Sequence, residues 1–203
     1  MIESTLLGFH VLEWLALIFN ALYTYFAAKS NIWCWPLGFL GSLFTLLLCL
    51  QVGLLAESGL QVFYMLLAIW GFYSWRKMSE LDSRNTPIQR MSLFLHIRIL
   101  VGGVVLSILL GKAMSSLGAA LPYWDSLTTT FSILATILIA RRFLENWIYW
   151  IAIDLLSVGL YASRELYLLS FLFIVYTLLA IYGWRRWQIE WTQNGKINTI
   201  KLD

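Results

Sequence analysis

The stretch ENWIYWIAIDLLSVGLY, residues 145–161, sets five side chains capable of chemistry on one edge of a helix. At about 100° per residue, Trp147, Trp150, Asp154, Ser157 and Tyr161 fall together. Two indoles one turn apart can form a wall on which a flat ring stacks, with up to about 2 kcal/mol of further attraction if that ring is cationic and desolvated. A carboxylate one turn further along complements such a cation. Two blander readings stay open: an interfacial belt for the tryptophans, of which the chain has 11, and for Asp154 a hydrogen-bonded link to Ser or Thr on another helix. A carboxylate in the middle of a spanning helix costs about 2.5–3.5 kcal/mol, so Asp154 is expected to face a cavity or a partner rather than lipid.

Other residues supply matching material. Gln61, Tyr64, Ala68 and Gly71 recur at three-four spacing, putting an amide, a phenol and two small residues on one side of a helix, where helix packing competes with a binding role. Trp35 in NIWCWP, residues 31–36, adds an indole, and Tyr176 stands in register with Tyr64. The hydroxyls of DSLTTTFS, residues 125–132, either line a wet path or bond back to the backbone. Gly38, Gly41 and Ser42 read as a packing face.

Several chemistries are missing from the sequence. It holds no P-loop, no HExxH and no Gly-rich dinucleotide turn, and its only histidines, His10 and His96, lie far apart. Cys34 and Cys49 have no CxxC spacing and read as small buried apolar residues rather than a disulfide framework or a thiolate metal site. The expectation is a non-enzyme without metal or cofactor.

The elements that must position these residues follow from hydropathy. The chain has 203 residues, 60% of them hydrophobic and 12% charged, a composition that belongs in a bilayer. Crossing the hydrocarbon layer takes about 20 apolar residues, and seven such windows occur: 6–27, 33–51, 58–75, 92–111, 122–140, 146–163 and 166–184. Lys29-Ser30-Asn31, Gly53 to Ser58, Arg76 to Arg90 with Pro87, Gly118 to Pro122, Arg141-Arg142 and Ser163 to Glu165 separate them. Glu3 and Glu13 stand where the basic region of a signal peptide would be, so the first span is expected to remain. Eleven of the 14 Lys and Arg lie in the links after the first, third and fifth windows and in the tail, while Lys112 and Arg164 lie on the opposite face. The positive-inside rule then puts the N-terminus outside and the tail, from Arg185, in the cytoplasm. The net charge of +3 is this asymmetry rather than a nucleic-acid patch.

The chain also repeats itself. AIWGFYSW (68–75) matches AIYGWRRW (180–187) at an offset of 112 residues, and Tyr64 and Tyr176 share that offset. Four helices intervene, so the two copies are expected to cross the membrane in the same direction. NIWCWP and NWIYW, residues 146–150, give a weaker match with different tryptophan spacing. The expected fold class is an all-α integral membrane protein, one transmembrane domain over 1–203: three helices (6–75), a connector (92–111) and three more (122–187) in a parallel pseudo-repeat, with a site near the midplane.

LQVFY (60–64), AIWGFYSW, YWDS (123–126) and ENWIYWIAIDLLSV (145–158) resemble, in order and over nearly the whole chain, the PnuC family of bacterial vitamin transporters. The resemblance implies a seven-helix, 3+1+3 fold related to the SWEET carriers and a homotrimer in the bacterial inner membrane. It also implies facilitated diffusion of an unphosphorylated vitamin precursor that a cytoplasmic kinase traps. The substrate cage it implies draws on Trp147, Trp150, Asp154, Gln61 and Tyr64; Trp35 and Tyr176 complete the expected set. Members that carry nicotinamide riboside often have Asn where this chain has Asp154, and Asn where it has Ala68; both differences, with NIWCWP, are features of the thiamine-carrying PnuT branch. Nicotinamide riboside is the first expectation and thiamine the alternative, both being cationic aromatic rings. A third reading is a non-transporting membrane subunit whose tryptophans only pack.

Overall fold

The computed structural model of the chain describes residues 2–51, 55–81, 88–118, 121–163, 165 and 167–200. The side chains of residues 2–10, 55, 56, 80, 81, 168, 169 and 194–200 lie outside that description, as do Gly53, Pro87 and Arg164, which the helix breaks and charge placement draw on. Each of the seven windows carries a helix: α1 Ile2–Ala28, α2 Cys34–Gln51, α3 Leu55–Leu81, α4 Leu93–Ser116, α5 Pro122–Ala140, α6 Asn146–Ser163 and α7 Tyr167–Ile200. By length and composition alone, Val11–Ala28, Cys34–Gln51 and Leu93–Ser116 are each sufficient to cross a bilayer. Helices α3 and α7 outrun their hydropathy windows. Hydropathy falls at Arg76-Lys77 and at Arg185-Arg186, but Arg and Lys are good helix formers and the backbone continues. At about 1.5 Å per residue, the 34 residues of α7 exceed a hydrocarbon layer of about 30 Å, so its charged end belongs in water.

The chain divides into two compact units, residues 1–86 and 87–203, with α4 in the second. Within unit 1, α1 packs on α2 and α2 on α3; within unit 2, α4 packs on α5, α5 on α6 and α6 on α7.

The two units reuse one local design. In unit 1 the Trp35 indole lies flat on α3 at Gly71, where an added Cβ would sit 2.5 Å from the ring, and meets Trp75 edge-on at 5.5 Å. In unit 2 the Trp147 indole lies on α7 at Gly183, where a Cβ would sit 2.6 Å from the ring, and meets Trp187 edge-on at 5.7 Å. All three pairs of positions differ by 112. The turns preceding these tryptophans repeat as well. Ser30 (φ 53°) and Arg142 (φ 57°) both adopt the left-handed conformation. Around them Ser30 N–H bonds Ala27 O and Asn31 N–H bonds Phe26 O, as Arg142 N–H bonds Ile139 O and Phe143 N–H bonds Leu138 O, again at an offset of 112.

Unit 2 adds a polar clasp. Residues 88–91 run beside the α5–α6 turn, with Gln89 N–H donating to Arg142 O (2.9 Å) and Leu144 N–H to Gln89 O (2.9 Å). The buried Glu145 carboxylate accepts from Met91 N–H (2.9 Å) and Arg90 Nε (3.0 Å). Arg142 pairs with Glu190 of α7 at 3.0 Å, and the Arg90 guanidinium sits over Trp191. Glu145→Ala therefore strands a buried backbone donor. Its expected cost is about 2 kcal/mol, read as a lowered unfolding temperature of the purified protein in detergent; an unchanged transition would reject the clasp.

Helix α4 docks on α5 through Gly103, Ser107 and Gly111, one turn apart. A Cβ at Gly103 would sit 2.7 Å from the Phe131 ring, and Gly111 faces Tyr123. Small residues let the backbones approach as in other membrane helix pairs, while Val101, Val105, Ile108 and Leu109 stay exposed, as suits a lipid-facing surface.

Candidate substrate-binding site

In unit 2 the chemical edge of α6 turns inward: Trp147, Asp154 and Ser157 are buried and Trp150 and Tyr161 half-buried, while Ile148, Leu155 and Leu156 face out. Asp154 is 4% exposed. Ser157 donates to Ile153 O (2.9 Å), bonding back along its own helix rather than to the carboxylate. Among the described residues no side chain donates a hydrogen bond to Asp154, so the link to Ser or Thr on another helix does not form. Its electrostatic neighbour is the phenol of Tyr176 on α7. That phenol is held by an aromatic ladder: Tyr161 of α6 stacks on Phe173 at 5.2 Å, and Phe173 meets Tyr176 edge-on at 6.0 Å.

The two tryptophans of α6 are held by different neighbours. Trp147 is 1% exposed, one ring face on Gly183. Trp150 packs instead against the cluster of Met91, Ala135, Leu138, Tyr149 and Ile153. The indole Nε1 of each of the two is buried with no acceptor. A buried donor left unmade costs about 1–3 kcal/mol.

Thr130 of α5 shares that condition, 1% exposed with Oγ1 unpartnered. Thr128 in the same stretch bonds back to Trp124 O, and Thr136 one turn beyond it to Ser132 O, whereas the Thr130 hydroxyl is buried without such a bond. Sequence reading did not separate it from its neighbours, because the distinction is which face of α5 is buried.

In unit 1, Trp35 is 1% exposed on Gly71, Ala68 is buried, and Gln61 and Tyr64 are half-buried on the same face of α3. Tyr64 and Cys34 both interact electrostatically with Tyr23 of α1, whose hydroxyl is buried and unpartnered. Tyr23 was not singled out by sequence. Its ring fills the space opened by Gly38, where a Cβ would stand 2.8 Å away. In unit 2 the equivalent positions, 112 residues on, hold Ala135 and Trp150. The large ring has moved from the first helix to the second, and each version ends in an unsatisfied buried donor. Among the described residues no group of three His, Cys, Asp or Glu side chains is placed to hold a metal ion.

A neutral-walled face with one unbonded carboxylate, unmet donors and aromatic rings suits a flat, polar, cationic solute. The chain is also similar to known proteins. The sequence model described as nicotinamide mononucleotide transporter matches residues 10–189. The nicotinamide riboside transporter PnuC of Escherichia coli K12 is 30% identical over 162 residues, 68% of each chain. The riboflavin/roseoflavin transporter RibM of Streptomyces davaonensis is 25% identical over 170 residues, 80% of this chain and 77% of its own. The crystal structure of the vitamin B3 transporter PnuC superposes with a TM-score of 0.73 at 23% identity, over 95% of this chain and 88% of that one. The chain is thus a member of the PnuC family of membrane transporters, not an enzyme.

Proposed function

We propose that the protein carries an unphosphorylated vitamin precursor, nicotinamide riboside in the first place, across the bacterial inner membrane by facilitated diffusion, and that a cytoplasmic kinase traps it. The observation that carries this reading is the buried, unbonded carboxylate of Asp154 one turn from the unmet indole donor of Trp150. Nicotinamide riboside offers both a complement: its pyridinium ring brings positive charge to Asp154, and its carboxamide oxygen can accept from an N–H. In this reading Trp150 gives the stacking face, Asp154 the charge contact, and Trp147 and Tyr176 their support in unit 2; Trp35, Gln61 and Tyr64 are the contacts assigned to unit 1. The N-terminus lies outside, the tail in the cytoplasm, and the protomers form a trimer.

Thiamine is the second reading, because its thiazolium is equally cationic and Asp154 serves it equally well. Riboflavin, carried by the relative RibM, is neutral and gains nothing from the carboxylate. In proteoliposomes, labelled nicotinamide riboside is expected to equilibrate without ATP or an ion gradient and to exceed equilibrium only when a matching kinase is enclosed. Concentrative uptake by the protein alone would overturn the facilitator mechanism. Tryptophan-fluorescence titration with the three vitamins in parallel assigns the substrate, and silence with all of them would leave the packing-subunit reading standing.

A further inference from the structure

A second, apolar site lies on the membrane-facing side of unit 2, away from the α6 edge. A groove of about 240 Å³ between α4 and α5 is lined by Val104, Ser107, Ile108, Tyr123, Trp124 and Leu127. It is open along one side and largely apolar. Ser107 is satisfied, donating to Gly103 O at 2.7 Å. The indole Nε1 of Trp124 is buried and has no acceptor. Lys112 is exposed on α4 one turn beyond Ile108, which puts a cation where the groove meets the membrane surface. Among the described residues it has no acidic partner. Asp125, the nearest carboxylate in sequence, lies on the far side of α5: at about 100° per residue it is turned well over 90° from the mean direction of Tyr123, Trp124 and Leu127.

We infer that this groove holds one anionic glycerophospholipid: an acyl chain along Val104, Ile108 and Leu127, its ester carbonyl accepting from Trp124 Nε1, and its phosphate against Lys112. The three features match the order of groups along such a lipid, tail, ester, phosphate. Tyr123 and Trp124 stand at the start of α5, the depth at which amphipathic rings meet headgroups. A solute from water would not need the open apolar side, and in a zwitterionic lipid the ammonium beside the phosphate offsets much of its attraction for Lys112. The inference is independent of which vitamin is carried.

The test uses the full chain in neutral detergent, mixed with equal amounts of phosphatidylglycerol and phosphatidylcholine and read by native mass spectrometry. One lysine beside a lipid of net negative charge is worth about a fivefold preference over a zwitterionic one, so phosphatidylglycerol adducts are expected to exceed phosphatidylcholine adducts by about that factor. Lys112→Gln should abolish the preference, and Trp124→Phe should lower retention of both lipids about fivefold. Arg98→Gln, a cation nearer the other end of α4, should change neither. Equal retention of the two lipids, adducts indifferent to both groove substitutions, or an Arg98→Gln effect as large as that of Lys112→Gln would each overturn the site. So would a lipid-free oligomer that dissociates on Lys112→Gln, because a second copy would then be covering the groove.

Discussion

Asp154→Leu is expected to abolish saturable vitamin uptake while raising the unfolding temperature of the protein. The two effects have one cause. A carboxylate at 4% exposure that no described side chain bonds is a net cost to the folded state, and replacing a buried charge by an apolar residue of similar size is commonly neutral or stabilising by about 1–4 kcal/mol. The cost is recovered only when a cation arrives. Loss of a charge-assisted contact in a desolvated site is worth about 3 kcal/mol, a reduction in affinity of about 100-fold or more. Asp154→Asn keeps the polarity without the charge and should fall between, about tenfold weaker for a cationic ligand and unchanged for a neutral one. A structural role predicts the reverse pairing: uptake falling only in proportion to a lowered unfolding temperature. Wild-type uptake by the leucine variant would remove Asp154 from the site altogether.

The two units explain what sequence could and could not reveal. Helix positions were legible because the bilayer imposes a length and a composition that the windows carry directly; the errors lie at α3 and α7, where a hydropathy criterion stops at the first charges although a helix in water continues through Arg and Lys. The repeat was legible at Gly71/Gly183 and Trp75/Trp187 because those residues are identical. It was obscured one helix earlier. Spacing suggested pairing Trp33-Trp35 with Trp147-Trp150, whereas Trp33 is exposed and Trp35 alone corresponds to Trp147. Trp150 corresponds to Gly38, and its bulk is exchanged for Tyr23 on the neighbouring helix. A compensated swap of large and small residues between two helices preserves volume while erasing identity at both positions, so no self-comparison by residue type can find it.

The same consideration limits the candidate site. That Asp154 faces inward followed from the cost of the alternative, and its register with the tryptophans from helical period. Which indole has a free edge did not. Trp147 and Trp150 are equivalent by spacing and both carry an unmet indole donor, but Trp147 is taken up by a glycine on α7 whereas Trp150 packs beside Tyr149 and Ile153 and stays half-buried; only the packing partners, far away in sequence, separate them. Thr130 differs from Thr128 in the same way.

Gly71 and Gly183 carry the other large prediction. A Cβ at either would stand 2.5 or 2.6 Å from an indole that cannot retreat, since each ring is nearly fully buried and wedged edge-on against Trp75 or Trp187. Overpacking against a rigid ring typically costs about 1–3 kcal/mol and here has no flexible side chain to absorb it. Gly71→Ala and Gly183→Ala are each expected at the upper end of that range, measured by denaturation in detergent micelles. Shrinking the ring should relieve the clash, so Trp35→Leu is expected to cost less in the Gly71→Ala background than in the wild type, a coupling of about 1 kcal/mol or more in a double-mutant cycle. The glycine pair shares no partner, so the doubly substituted protein should show the sum of the single losses to within about 0.5 kcal/mol. A tolerated alanine at either position, or a cycle without coupling, would mean that the indoles do not lie on these glycines and that the design is not used twice.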